Sequence, residues 1–119
     1  MKKHLMKILV LILLIAIFGC ATPGMVMDRN NNNLLTLEMG MTKNQVMEIM
    51  DKPDLNEAYK SLYGKNMCIF FYYTQRQRSD WSVTKDECTP IVFENGQLIG
   101  WGSEFYEIRK NVDITIRED

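Results

Sequence analysis

The first twenty residues constrain the architecture most, because they join positive charge to a short apolar run. Three lysines precede eleven consecutive apolar residues, from Ile8 to Phe18. A run of this length is about half of what a membrane-spanning helix requires. A basic start, a short apolar stretch and a small residue before a cleavage point are typical of a secretory signal peptide. We therefore expect residues 1–19 to be a signal that is removed.

The expected cleavage point, Ile17-Phe18-Gly19-Cys20, resembles a bacterial lipobox. The resemblance implies cleavage between Gly19 and Cys20 and acylation of Cys20, and two or three acyl chains anchor a protein stably. The alternative is a plain secretion signal with an incidental cysteine. Ala21 follows, where an aspartate would resemble the inner-membrane retention signal. Resemblance to sorted lipoproteins thus implies lipid anchoring in the outer membrane, facing the periplasm.

The remaining 100 residues carry 11 basic and 15 acidic side chains, because residues 1–19 contain three lysines and no acid. A mildly acidic domain lacks the charge that binds nucleic acid or an anionic bilayer. The only histidine, His4, lies in the signal, which excludes histidine-based triads and imidazole metal sites from the mature chain. No CxxC spacing or glycine-rich phosphate loop occurs. We expect no cofactor, no metal, no small-molecule substrate and no catalytic activity.

Nearby acids are the remaining candidates for catalysis. Asp51, Asp54 and Glu57 are close in sequence. A paired-carboxylate glycosidase needs two acids about 5–9.5 Å apart across a cleft, and no pattern here predicts a cleft. We interpret most of these acids as solvated residues at helix ends and turns.

The mature chain divides into three segments. Residues 20–33, with a Pro-Gly pair and the run Asn30–Asn33, predict a flexible tether. Residues 34–103 predict a folded domain, and residues 104–119 a C-terminal extension. For this extension a short helix, an edge strand and a mobile end all remain open.

Two short helices are predicted at the start of the domain. The first begins at Leu34, with Asn33 as its cap. The second follows the T-x-x-Q spacing of a capping box and has an apolar face at helical spacing. That face consists of Val46, Ile49 and Met50, and Pro53 ends the helix.

Four segments then predict strands, at residues 57–62, 66–74, 87–94 and 97–101. Asn95-Gly96 favours a two-residue type I′ turn that places Phe93 opposite Leu98 and Val92 opposite Ile99. In that register Phe93, Leu98 and Ile91 share one sheet face, which we expect to pack against the apolar face of the second helix. Trp101 lies on the second sheet face, as core or as an exposed patch. The sequence predicts an α+β fold, with one or two short N-terminal helices packed on a three- to four-stranded antiparallel meander.

Cys68 and Cys88 are the two cysteines left after Cys20. Both lie in predicted neighbouring strands, and two thiols in an oxidising compartment most often pair. We predict a structural disulfide between them. A redox-active pair is the alternative, although the close spacing and the neighbouring histidine that lower a thiol pKa are lacking.

The start of the domain carries a family resemblance. Its residues are Met39-Gly40-Met41-Thr42-Lys43-Asn44-Gln45-Val46, followed by Ile49, Met50 and Pro53. They resemble the G-M-T-x-x-Q-V…P signature of the SmpA/OmlA (BamE-like) outer-membrane lipoproteins, with Gly40, Met41, Thr42, Gln45, Val46 and Pro53 as the matching positions. The second half is more similar to small envelope lipoproteins with no assigned function. The resemblance implies a small α+β module and β-barrel assembly components as partners.

A long polar loop, residues 75–86, holds the candidate partner-binding side chains Arg76, Arg78 and Trp81, to which we add Trp101. Arginines beside an aromatic residue are typical of binding hot spots. The alternative is that Trp81 folds onto the sheet and the arginines sit beside neighbouring acids. Our interpretation is a non-catalytic binding or scaffold lipoprotein that contacts membrane lipid and envelope proteins and aids outer-membrane assembly or envelope integrity. The alternatives are a secreted inhibitor-like module and a thiol-redox protein.

Overall fold

The computed structural model describes residues 2–17, 22–77 and 82–114, which form an α+β fold with an antiparallel sheet. The helices are α1 (Lys2–Ile17), α2 (Pro23–Leu34), α3 (Lys43–Met50) and α4 (Ser103–Ile114), and Lys85–Glu87 forms a 3-10 turn. The strands are β1 (Leu55–Lys60), β2 (Asn66–Tyr73), β3 (Cys88–Glu94) and β4 (Gln97–Trp101). Among these described ranges, no helix is both long and apolar enough to cross a membrane.

The four strands form a simple meander in the order β1-β2-β3-β4, as predicted. The predicted type I′ turn between β3 and β4 is confirmed, because Asn95 and Gly96 have φ angles of 50° and 82° and Phe93 lies opposite Leu98. Two successive positive φ angles are what a type I′ turn requires.

A β-bulge overturns the next predicted pair. Val92 lies opposite Gly100 rather than Ile99, and Trp101 lies opposite Ile91. The extra residue in β4 turns Trp101 to the other sheet face from the one predicted. Close packing explains the glycine, because a Cβ atom at Gly100 would lie 2.7 Å from the ring of Phe105.

The first face of the sheet is the one that α2 and α3 cover. Its apolar core comprises Leu34, Leu37, Val46, Met50, Phe70, Tyr72, Ile91, Phe93 and Leu98, with Ile49 and Trp101 packed against it. The predicted contact between the apolar face of α3 and the strand residues Ile91, Phe93 and Leu98 is therefore confirmed.

The second face is the one that α4 covers. Its core comprises Met67, Ile69, Phe71, Cys88 and Val92, with Phe105 and Tyr106 packed against it. Residues 103–114 form a helix, which is one of the three alternatives that were open for the C-terminal extension. Residues 115–119 lie outside the described part of the chain.

The predicted tether is wrong for residues 23–33, which lie in α2. The predicted helix starting at Leu34 is wrong as well, because α2 ends there and a loop leads to α3. Thr22 caps α2 by accepting a hydrogen bond from the Met25 N–H, and Pro23 occupies the first turn. The asparagines are poor helix formers by themselves, so tertiary contacts decide the conformation here.

The predicted disulfide between Cys68 and Cys88 is also wrong, and both thiols are free. Cys68 lies opposite Phe93, whereas Cys88 lies opposite Tyr73. The two cysteines are thus five positions apart along the ladder, which is about 16 Å. Because an odd separation changes the face, Cys68 packs against the first-face core and Cys88 lies in the second-face core.

Hydrophobic pairing explains why the chain adopts this register. Pairing Cys68 with Cys88 would have set Phe70 opposite Asp86. The observed register instead sets Phe70 opposite Ile91 and Ile69 opposite Val92. Apolar side chains then meet on both faces, which is what fixes strand register where both faces are covered.

Candidate functional site

The two ends of the sheet differ in what they carry, and we call them the tip end and the loop end. The tip end holds the β1–β2 turn, residues 61–65, and the turn at Asn95-Gly96, which are joined by a hydrogen bond of 2.8 Å from the Asn95 N–H to the Asn66 carbonyl. The loop end holds the β2–β3 connection, residues 74–87. Functional candidates occur at both ends.

Helix α2 is fixed to the loop end by the asparagine run. The side-chain amides of Asn30 and Asn31 donate to the carbonyls of Tyr73 and Thr74, at 2.8 and 3.0 Å. Asn33 donates to the Ile49 carbonyl at 3.0 Å. Asn30 is 1% exposed, so its hydrogen bond forms inside the protein. Residues that suggest a tether by composition thus dock the helix.

The six motif residues have structural roles. Thr42 and Gln45 form the predicted capping box of α3, with hydrogen bonds of 3.2 and 2.9 Å. Gly40, at φ 86°, donates to the Leu98 carbonyl at 2.8 Å, and the Met41 carbonyl accepts from the Leu98 N–H at 2.8 Å. The motif thereby pairs the α2–α3 loop with the outer edge of β4.

The last two motif residues complete the seating of α3. Val46 is fully buried in the first-face core, and Pro53 is half-buried beyond the end of the helix. The motif residues make contacts within the domain, so the motif predicts the fold rather than a binding surface.

The β2–β3 loop is organised around Glu87, which is 1% exposed. Its carboxylate accepts from the Gln77 N–H at 3.1 Å and from the N–H and hydroxyl of Thr84 at 3.3 and 3.0 Å. The Glu87 carbonyl accepts from the Thr74 and Gln75 N–H groups. A buried acid with several donors fixes the backbone of this loop.

The four predicted partner-binding residues do not form one described surface. Arg76 is exposed in the β2–β3 loop. Trp101 is half-buried against the first-face core. Arg78 and Trp81 lie outside the described residues, as do Gly19 and Cys20 of the predicted cleavage site.

A charged network connects α4 to the edge strand β1. The Glu57 carboxylate accepts from Lys110 at 2.7 Å, from Lys85 at 2.6 Å and from the Tyr106 hydroxyl at 2.9 Å. Burial opposes ionisation of Glu57, but the hydrogen bonds from Lys110, Lys85 and Tyr106 outweigh it and lower its pKa to about 2. The interpretation of Glu57 as a solvated acid is therefore wrong.

A second group of charges joins α4 to the tip end. Asp113 is fully buried and accepts from the Tyr59 hydroxyl at 2.9 Å. Arg109 lies 3.4 Å from Asp113 and 2.6 Å from Glu94, and Lys65 lies 2.8 Å from Glu94. The hydrogen bond from Lys65 is the main cause that lowers the pKa of Glu94. Both charged groups hold the second helix layer in place.

Sequence reasoning missed the roles of Glu57, Glu87 and Asp113. Glu57 alone had a usable signal, because it alternates with Leu55 and Tyr59 and so faces the second sheet face with them. The partners of Glu87 and Asp113 depend on loop and helix placement, which local pattern does not predict.

The free thiols are held in their neutral form. Burial raises the pKa of Cys68, and burial with the nearby Asp54 and Glu87 raises the pKa of Cys88 to about 12. A thiolate is the reactive species, so neither environment favours thiol chemistry. Within residues 2–17, 22–77 and 82–114, no group of three or more potential metal-ligating side chains occurs.

The tip end displays large apolar side chains to solvent. Met39 lies next to Gly40, which donates a hydrogen bond to the Leu98 carbonyl. Leu62 and Tyr63 lie in the β1–β2 turn. Ile114 lies next to Asp113, whose carbonyl accepts a hydrogen bond from the Leu62 N–H. They are 65%, 58%, 72% and 49% exposed. Adjoining exposed apolar residues are typical of an interaction surface, and Leu62 and Tyr63 adjoin in one turn.

Comparison with known proteins gives a family match. No curated protein and no solved structure matches the chain. A family model described as "Protein of unknown function (DUF3192)" matches residues 25–108, from the first turn of α2 into α4. The match covers both helix layers and the whole sheet, and the chain therefore belongs to the DUF3192 family.

Proposed function

We propose that the protein is a lipid-anchored binding or scaffold lipoprotein without catalytic activity, held in the outer membrane by acylated Cys20 and facing the periplasm. The observation that carries this proposal is the place where the domain begins. The cap of α2 is Thr22, only two residues after Cys20. An acylated Cys20 would hold the folded domain next to the bilayer, with no long spacer.

The binding role is supported by how the domain uses its charges. Glu57, Glu94 and Asp113 each accept hydrogen bonds or ion pairs that fix α4 to the sheet, and Glu87 fixes the backbone of the β2–β3 loop. The apolar side chains at the tip end, by contrast, contribute little to the two cores. Binding through apolar contacts with an envelope protein fits this division.

The resemblance to the SmpA/OmlA (BamE-like) lipoproteins suggests β-barrel assembly components as the partner. The capping box and the pairing of Gly40 and Met41 with β4 give its signature residues a common structural purpose in this chain. Support for outer-membrane protein assembly or envelope integrity rests on that resemblance, because the matched family has no assigned function.

Two alternatives remain as competing functions. A secreted inhibitor-like module would have the same domain without acylation. A thiol-redox protein has no support from the geometry, since Cys68 and Cys88 occupy opposite sheet faces and burial raises the pKa of both.

The test combines acylation with site-specific crosslinking in cells. The full chain is expressed with a clickable palmitate analogue, beside a Cys20→Ala control, and a photo-crosslinking amino acid replaces Tyr63. The same amino acid at Asn56, an exposed β1 position away from the tip end, is the matched control.

We expect acylated protein in the outer membrane and none in the Cys20→Ala control. We also expect a barrel-assembly component to crosslink at Tyr63 and not at Asn56. Unacylated protein in the soluble periplasm would favour the inhibitor-like alternative. If the protein is acylated and in the outer membrane but crosslinks to no assembly component, the lipid anchor is supported and the role in barrel assembly is contradicted.

A further inference from the structure

We propose that the anchored domain stands on the membrane with its loop end toward the bilayer and its tip end toward the periplasm. The inference deepens the proposed function and rests on acylation of Cys20. It follows from three features: the short connection from Cys20 to α2, the docking of α2, and the end of the sheet that α2 contacts.

The connection is too short to let the domain turn over freely. Two residue steps separate Cys20 from Thr22, and two extended residues span at most about 7 Å. Thr22 is the cap of α2, with its hydroxyl accepting from the Met25 N–H at 3.3 Å. The start of the helix therefore lies close to the lipid headgroups.

Helix α2 passes this restraint on to the domain because it is docked along its second half. Asn30 and Asn31 bind the backbone of Tyr73 and Thr74, and Leu34 is part of the first-face core. The contacts of Asn30 and Leu34 are buried and come from successive turns, whereas the hydrogen bond of Asn31 is exposed. The helix and the sheet thus move as one body.

The place where α2 contacts the sheet decides which end faces the bilayer. Asn30 and Asn31 meet the last residues of β2 at the loop end, and the chain then proceeds to Gly40, which binds Leu98 at the tip end. Residues 22–29, about 12 Å of helix, precede this contact; none of their described side chains belongs to the first-face core, and Arg29 pairs with Asp51 at the loop end. The membrane-anchored start of α2 is therefore on the loop side.

The opposite end is well separated from the membrane in this orientation. Strand β2 runs from the tip end to the loop end over eight residues, which is about 25 Å. Tyr63 lies beyond its tip end. The exposed apolar residues of the tip end would thus face the periplasm, where an envelope protein can reach them.

Charge does not set the orientation. The charged residues near the loop end have both signs, as in the exposed pair Arg29–Asp51 at 3.6 Å and the neighbouring Lys52 and Asp54. Such a mixed surface has little net attraction for anionic lipid. The orientation should be the same in neutral and anionic vesicles.

Fluorescence quenching by brominated phospholipids tests the orientation. The purified acylated protein is reconstituted into phosphatidylcholine vesicles in a Trp81→Phe, Trp101→Phe background. One variant adds Met25→Trp, on the first turn of α2, and the matched control adds Tyr63→Trp. Both positions are exposed, so the two probes share residue type and access to water.

We expect strong quenching of the probe from Met25→Trp and none of the probe from Tyr63→Trp, with the same result when anionic lipid is added. Equal quenching of both, stronger quenching at the tip end, or no quenching at either position would overturn the orientation. Mass spectrometry of the same sample separates the two proposals. Acylated protein with the wrong quenching pattern defeats the orientation alone, whereas unacylated Cys20 defeats the anchor as well.

A second measurement needs no substitution, in case the background variants fail to fold. Wild-type protein is reconstituted with a phospholipid that carries a photoactivatable headgroup, and the crosslinked peptides are mapped. We expect crosslinks in residues 22–29 and none in residues 61–65. Crosslinks concentrated in residues 61–65 would overturn the orientation.

Discussion

The two faces of the sheet are joined to their helices by different forces. The first face meets α2 and α3 through apolar side chains and uncharged asparagine amides, and Val46, Ile91 and Phe93 are fully buried there. The second face adds a layer of charge, with Glu57 and Glu94 on the strands opposite Lys110 and Arg109 on α4. The first contact should therefore be insensitive to pH and salt, whereas the second should depend on both.

The largest expected effect comes from breaking the first face. Phe93→Ala removes a ring that packs edge-on against Phe70, with ring centroids 4.9 Å apart. Truncating a buried phenylalanine costs about 3–5 kcal/mol, because the transfer free energy is lost and a cavity remains. Urea unfolding monitored by circular dichroism should show this loss. If the first face is held by apolar packing, the loss will be the same at pH 7 and pH 4, and a large pH dependence would contradict the comparison.

A smaller and pH-dependent effect is expected at the second face. Glu57→Gln keeps the shape of the side chain but removes the charge that binds Lys85 and Lys110. Hydrogen bonds to charged groups contribute about 1.5–3 kcal/mol each when buried, and partial exposure reduces this, so we expect a loss of about 1–2 kcal/mol at pH 7.

The pH dependence of that loss has a definite sign. The folded-state pKa of Glu57 is about 2, below its ordinary value of 4.5. The stabilisation is thus complete above pH 4.5 and is lost as the pH falls toward 2. The difference between wild type and Glu57→Gln should shrink over this range. Glu107→Gln, an exposed charge change on α4, is the control and should change stability little at any pH.

What the sequence could predict depends on whether the signal for a contact is local in the chain. The packing of α3 on the first face was predictable because Val46, Ile49 and Met50 repeat at helical spacing and Asn95-Gly96 fixes the turn beside Phe93 and Leu98. Strand positions followed from apolar and aromatic runs such as residues 66–73. These signals are local, so they are visible without knowing the fold.

The features that escaped prediction depend on contacts between distant segments. The asparagine run became a docked helix because Tyr73 and Thr74 supply carbonyls 43 residues away. The register of Cys68 was set by apolar pairing along the whole of β2 and β3 rather than by the cysteines. The roles of Asn30 and Cys68 do not follow from their residue types, because they depend on partners that are distant in the chain.

The smallest expected effect refines the comparison at the end of α3. Asp51 has φ 64° and ψ −168°, a backbone region that is nearly restricted to glycine and costs other residues about 1–3 kcal/mol. Asp51→Gly relieves that strain, although glycine also gains freedom in the unfolded chain, worth about 0.4–1 kcal/mol. The ion pair with Arg29 is exposed at 3.6 Å and contributes little, and the hydrogen bond from Tyr72 goes to the Asp51 carbonyl, which any residue provides.

We therefore expect Asp51→Gly to stabilise the domain by about 1 kcal/mol in urea unfolding, equally at pH 7 and pH 4. Asp51→Asn separates the causes, because it removes the charge and keeps the Cβ atom. Equal stabilisation by both variants would place the effect on charge, and the first face would then share the electrostatic character of the second.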